Sequence, residues 1–256
     1  MNKADKIGIC LTIAKYLLDA PRSHNVVVVA RSVEPLQKLK QQYDKQVEVV
    51  NGDLGDFSIA PKVVDTAIKA FGKLDGMVLN HGILGQVGKI AEADLQQWKQ
   101  GLDVNYLSYV AFVSALPPSS TPNQTTVLTV SQVQAGLPAL RQSKGKIIFT
   151  SSGAAANSYR GWGLYGGSKA AINHLALSLG DEEPDVTTVS IRPGMVDTEM
   201  QRELREDHAT TLEPQVHSKF MAVHKEGKLL QPEQPGHVMA KLVLDAPSLL
   251  TGKFLS

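Results

Sequence analysis

The stretch SSGAAANSYRGWGLYGGSK, Ser151 to Lys169, places a serine, a tyrosine and a lysine in a run of small residues, directly after the apolar KIIFTS of Lys146–Ser151. Tyr165 and Lys169 are four apart, so a helix puts them on one face. A free phenol has a pKa of about 10 and is a poor acid–base group at neutral pH. A neighbouring ammonium favours the phenolate, each pKa unit being about 1.4 kcal/mol. A shift of two or three units (~3–4 kcal/mol) brings the phenol near its working range. Ser152 lies thirteen residues before the tyrosine, just past a run that reads as a strand. Ligands bind at the C-terminal ends of strands in a parallel sheet, and a hydroxyl there can donate to a carbonyl oxygen. The trio suits adding a proton to oxygen while hydride reaches carbon. Tyr159 is no equivalent, because Gly163 follows it by four. A tyrosine–lysine pair alone is a common solvated helix face; the strand-end serine gives it meaning.

Working outward, the β-branched runs NVVVVA (25–30), VEVVN (47–51), GMVLN (76–80), KIIFTS (146–151) and VTTVSI (186–191) are nearly continuously apolar. Strands buried on both faces read this way. Helix-compatible segments alternate with them: LTIAKYLLDA, EPLQKLKQQYDK, APKVVDTAIKAFGK, EADLQQWKQGLDVNYLSYVAFVSA and GLYGGSKAAINHLALSLGDEE. The alternation predicts an α/β fold with a doubly wound, Rossmann-like parallel sheet, one domain spanning 1–256. The Pro-, Ser- and Thr-rich segment 116–138 interrupts the pattern, and loops this long are uncommon inside compact domains. It reads as a surface insert or as translated non-coding sequence.

Bulk composition excludes several function classes. The chain has 256 residues, 43% hydrophobic, with net charge +1. That charge gives no reason to expect nucleic acid or a membrane surface as partner. No apolar run reaches the roughly 18–20 residues of a membrane helix, and MNKADKIGIC has no long apolar stretch for a secretory signal. Cys10 is the only cysteine, so no intrachain disulfide forms and a reducing cytoplasm is expected. None of the seven histidines has metal-site spacing, so no metal is expected. FTSSGAA does not fit the GxSxG of a serine hydrolase.

With these residues in view, the chain resembles the short-chain dehydrogenase/reductase family over nearly its whole length, and within it the benzil reductase and sepiapterin reductase-like members. YGGSK matches the family's YxxxK and Ser152 its serine. LNHG (79–82) resembles NNAG, with His81 in place of alanine. The resemblance implies that Asn80 and Gly82 lie beside the cofactor and that Asn105, in DVNY, is a proton-relay asparagine positioning a water. It places Asp53 and Leu54, in VNGDL, at the adenine. It places Pro193, Gly194, Val196 and Thr198, in RPGMVDT, around the nicotinamide amide. Tyr165 becomes the proton donor, Lys169 the group that holds the ribose hydroxyls and depresses the tyrosine pKa, and Ser152 the group that polarises the carbonyl. The implied activity is reduction of a small ketone, aldehyde or diketone. The segment 197–231 corresponds to the region closing over substrate. A homodimer through the helices carrying Asn105 and Tyr165 is implied too.

The choice of nicotinamide turns on the end of NVVVVA. An acid there bonds the ribose 2′-hydroxyl of NAD, and an arginine accommodates the 2′-phosphate of NADP. Here Arg31 and Ser32 follow Ala30 without an acid, so NADP is expected. The front end departs from the family pattern. Aligning GIC with the end of TGxxxGxG puts Gly8 and Ile9 at the cofactor, Cys10 at the last glycine and Ala4 at the first. No apolar strand precedes it, so the first strand and glycine-rich turn read as missing or degraded. Three readings follow: a start upstream of Met1, a makeshift strand from KIGIC, or a non-catalytic scaffold that keeps the fold.

Overall fold

The computed structural model describes residues 8–114, 136–209 and 211–256. Within them, helices α1 (Ile9–Leu18), α2 (Val33–Tyr43) and α3 (Ile59–Phe71) alternate with strands β1 (Val26–Ala30), β2 (Val47–Asn51) and β3 (Gly76–Leu79). A long helix follows in three pieces: α4 (Leu95–Leu102), a π turn at Asp103–Leu107 and α5 (Ser108–Val113). Next come α6 (Gly136–Ser143), β4 (Lys146–Thr150), α7 (Gly163–Glu182) and β5 (Thr187–Ile191). The chain ends through α8 (Glu199–Glu206), α9 (Pro214–Lys225), α10 (Glu233–Asp245) and β6 (Lys253–Leu255). This is the expected α/β, Rossmann-like fold with parallel sheets.

β4 shows why its residues make a central strand. Ile147, Ile148 and Phe149 are all 0% exposed, and successive side chains leave a strand on opposite faces. Ile147 and Phe149 join a core with Tyr109, Phe112 and Ile172 from α5 and α7. Ile148 joins a second core with Met239 and Val243 of α10 and Ile13 of α1. Each such side chain contributes roughly 1.5–3 kcal/mol by leaving water. Helix α7 buries Tyr165, Lys169, Ile172, Ala176 and Leu179, one stripe at helical spacing. The face that anchors α7 to the sheet is thus the face that carries the tyrosine and lysine.

All strand pairs are parallel, in the orders β1-β2 and β3-β4-β5-β6. Among the described residues β1 and β3 are each an edge. The makeshift strand, one of the three readings of KIGIC, is not what its described part forms: Ile9 and Cys10 make the first turn of α1, with Gly8 as N-cap. Residues 1–7, Ala4 among them, lie outside the described residues. So does most of the expected insert, but its last three residues are not loop. Gly136, Leu137 and Pro138 open α6, and Leu137 is buried. The sequence did not announce β6, which has three residues, or α10, whose Pro235–Gly236 pair reads as a turn. Pro235 sits in the helix's first turn, where a missing N–H costs no intrahelical bond.

Candidate active site

The site gathers at the C-terminal end of β4. Lys169 is 2% exposed, and its Nζ donates to the Thr150 carbonyl at 2.8 Å. The Thr150 hydroxyl donates to Asn80 Oδ1 at 2.8 Å, tying the ends of β3 and β4 together. Ser152 is extended, and its Oγ accepts from the Ala154 amide at 3.2 Å, which leaves its own proton free to donate elsewhere. Tyr165, 9% exposed, has the Ser152 hydroxyl as a hydrogen-bond neighbour.

The electrostatics correct one expectation. Burial pushes the Tyr165 phenol above its ordinary value, and the Ser152 bond only partly offsets this. Burial also pushes Lys169 down to about 7. Desolvation disfavours the charged form of both groups. The lysine Nζ lies 5.8 Å from the Tyr165 ring centroid, and a half-neutral amine at that range depresses the phenol little. In this structure the pair is a protonated phenol beside an amine that titrates near neutrality.

Asn105 is fully buried in the π turn. Its Oδ1 accepts from Ile83 N–H at 2.8 Å, and its Nδ2 donates to the Ile83 carbonyl at 2.8 Å and to Ser168 Oγ at 3.2 Å. Between Asn105 and Lys169 runs Gly82, where an added Cβ would lie 3.3 Å from both Asn105 Oδ1 and Lys169 Nζ. Any side chain there would crowd both groups. The four groups Ser152, Tyr165, Lys169 and Asn105 are therefore brought into one neighbourhood.

The expected cofactor residues line strand and helix ends around it. Helix α1 has no side-chain cap, and no described residue lies within 4 Å of a Cβ built on Gly8. Its first amides and that open space fit an anionic pyrophosphate. Ile9 is buried in the core, so only its backbone is available to a ligand. Cys10, where a glycine was expected, is exposed, and its Sγ accepts from Asn80 Nδ2 at 2.9 Å. Arg31 is exposed just past β1, and Ser32 is the N-cap of α2 without a side-chain cap bond. Asp53 Oδ1 accepts from Gly55 N–H at 2.9 Å. Leu54 and Val196 spend their side chains in the cores. Pro193 precedes Gly194, whose φ of +85° is a left-handed conformation suited to glycine. Thr198 is the N-cap residue of α8, its hydroxyl donating to the Val196 carbonyl at 3.4 Å.

The segment 197–231 is mostly helix, and it reaches the site. Leu204, Leu212 and Phe220 pack with Leu84, Ala154, Trp162 and Tyr165. Trp162 stacks on Phe220 at 5.8 Å and meets the Tyr165 ring edge-on at 5.7 Å. Sequence reasoning missed this wall. Trp162, three residues before Tyr165, was its one visible signal; Phe220 has no local signature. Among the described residues no group of three His, Cys, Asp or Glu is placed to hold a metal, and no helix is long and apolar enough to cross a membrane.

The sequence model of the short chain dehydrogenase family matches residues 4–132 and 120–209. The chain belongs to that family. A benzil reductase ((S)-benzoin forming) of Saccharomyces cerevisiae is 36% identical over 260 residues, covering 97% of this chain and 91% of its own. An uncharacterized oxidoreductase of Schizosaccharomyces pombe is 36% identical over 250 residues with the same coverage. The crystal structure of a Saccharomyces cerevisiae short chain dehydrogenase/reductase superposes with a TM-score of 0.87 at 33% identity, covering 97% of this chain and 91% of that one. The chain is thus an oxidoreductase of the short-chain dehydrogenase type, a family that uses NAD or NADP.

Proposed function

We propose that this short-chain dehydrogenase reduces an apolar ketone, aldehyde or diketone with NADPH. One observation carries the reading: the Ser152 hydroxyl, the Tyr165 phenol and the Lys169 amine converge at the end of β4, with Asn105 one contact behind. The nicotinamide supplies hydride when bound. Tyr165, its pKa raised by burial, keeps its proton at neutral pH and can give it to the developing alkoxide. Ser152 donates to the same oxygen. Lys169 spends one N–H on Thr150 and has others for ribose hydroxyls. Asn105 holds Ile83, and with it the strand end; the water relay implied by the resemblance belongs to the proposal. Around these polar groups the wall of Trp162, Phe220, Leu204 and Leu212 favours an apolar, aryl-sized flank, and the benzil reductase relative supports a diketone. The test is NADPH oxidation by purified protein against aryl ketones and 1,2-diketones. No turnover across the panel overturns the reading.

NADPH is preferred on the strength of Arg31, exposed at the end of β1 with Ser32 beside it. A charge-assisted bond of this kind contributes about 1.5–3 kcal/mol, so Arg31→Ala should raise the NADPH KM about tenfold or more and leave that for NADH nearly unchanged. Equal changes for both would remove the assignment. The non-catalytic scaffold is the competing reading, and Cys10 against Asn80 is the described feature that favours it. Thermal-shift titration separates the two, since a ligand that binds the folded state must raise the melting temperature.

The single-domain boundary, the cytoplasmic compartment and the homodimer belong to the same proposal. Leu102 and Leu107, on the long helix, and Leu177, on α7, are 36%, 41% and 48% exposed, which supports pairing through those helices. Light scattering at micromolar concentration decides, a monomeric mass counting against it.

A further inference from the structure

We propose that His81 is a positioning residue for the site: it clamps the end of β3 to the π turn and so sets where Asn105 and Lys169 sit. The inference rests on the proposed reduction for its catalytic consequence, and on hydrogen bonds alone for its structural one. The π turn carries the Ser108 amide to Asp103 O instead of to Val104 O, its partner in an α-helix. The Ser108 hydroxyl donates to that Val104 carbonyl at 2.7 Å. With the hydroxyl proton committed, His81 Nε2, 2.6 Å from Ser108 Oγ, is the donor. From the other side the Tyr109 hydroxyl donates to the His81 carbonyl at 2.7 Å, and the two rings lie 4.5 Å apart. Two residues further on, Ile83 makes its paired bonds to Asn105.

His81 and Ile83 are thus two tie points on opposite sides of Gly82, where an added Cβ would lie 3.3 Å from both Asn105 Oδ1 and Lys169 Nζ. Tyr109, held by His81, also faces the lysine, its ring centroid 5.5 Å from Nζ. An alanine at 81, as in the family's NNAG, can make neither the bond to Ser108 nor the ring contact. Burial and the Lys169 charge push the imidazole down to about 3, so the ring stays a neutral donor across the working range of pH.

The experiment compares wild type with His81→Ala, His81→Gln and Ser108→Ala. Glutamine keeps a donor at about the reach of Nε2. The first readout needs no cofactor: amide exchange at Ile83, whose N–H bonds Asn105, should accelerate about tenfold or more in His81→Ala and in Ser108→Ala. The second is kinetic. Small misplacements of reacting groups cost up to about a hundredfold, so kcat should fall about tenfold or more in His81→Ala with the NADPH KM little changed, and recover to within about threefold in His81→Gln. Unchanged exchange at Ile83 in the alanine variants overturns the inference. So does a glutamine variant as slow as alanine with kcat following melting temperature, which marks bulk packing. If His81→Ala does not fold, Ser108→Ala tests the same clamp from its other end. A wild type without turnover on any carbonyl compound sinks the proposed function instead, and the exchange readout then decides on His81 by itself.

Discussion

Tyr165→Phe should lower kcat by about 10²–10⁴-fold, the usual contribution of a positioned general acid, while leaving the fold and cofactor binding nearly intact. The phenylalanine ring fills the same buried space against Trp162 and Ala154. What is lost is one hydroxyl whose described partner is Ser152. A single neutral hydrogen bond is worth about 0.5–1.5 kcal/mol net, and burial opposes the charged phenolate, so thermal stability should move by only a few degrees. NADPH-dependent stabilisation should persist within a few-fold, because Lys169 and its bond to Thr150 are untouched. The decisive comparison is single-turnover reduction under saturating cofactor and ketone. Equal rates in variant and wild type would show that the oxygen is protonated from elsewhere. A variant that also loses the NADPH response would show that the phenol serves binding instead. Ser152→Ala should be milder than Tyr165→Phe, since it removes a donor to the same oxygen and leaves the proton source in place.

The central strands β4 and β5 were legible because they are buried on both faces. Ile147, Ile148 and Phe149 have nowhere to be polar, so KIIFT declares itself as a strand. The candidate trio stood out for a related reason: the helix face that carries Tyr165 and Lys169 is also the anchoring stripe through Ile172 and Ala176. The π turn was not legible. DVNYL has no proline or glycine, and a one-residue widening leaves no mark on apolar spacing. The sign of the Tyr165 shift was hidden as well, because desolvation depends on what three-dimensional packing brings around the ring. Neighbours distant in sequence, Phe220 and Leu204 among them, supply it. The same holds for His81, whose role follows from partners Ser108 and Tyr109 that are 27 and 28 residues away.

Lys169→Met should abolish most turnover and yet make the cofactor-free protein more stable at neutral pH. The amine is buried, and desolvation brings its pKa from 10.5 to about 7. That displacement corresponds to roughly 4–5 kcal/mol of penalty for keeping a normally charged group inside, on the usual 1.4 kcal/mol per pKa unit. Methionine fills the space without the charge, but leaves the Thr150 carbonyl without its donor, a cost of about 1–3 kcal/mol. The first effect wins by about 2 kcal/mol at pH 7, or roughly 5 °C in a chain of this size. The pH dependence carries the sign. Between about 7 and 10.5 the unfolded lysine binds a proton that the folded one does not, so wild-type stability rises with pH across that window. The methionine variant lacks this slope, so its advantage shrinks by about 1.4 kcal/mol per pH unit, the order reverses near pH 9, and by about 10.5 only the lost hydrogen bond remains. Melting temperatures of both proteins over pH 7–9, each without and with NADPH, test all of it. Parallel pH curves, with the variant the less stable throughout, would mean that the amine is solvated and charged in the free protein. The site would then hold a permanent ammonium beside Tyr165, and the phenol's proton would be easier to lose than its burial implies.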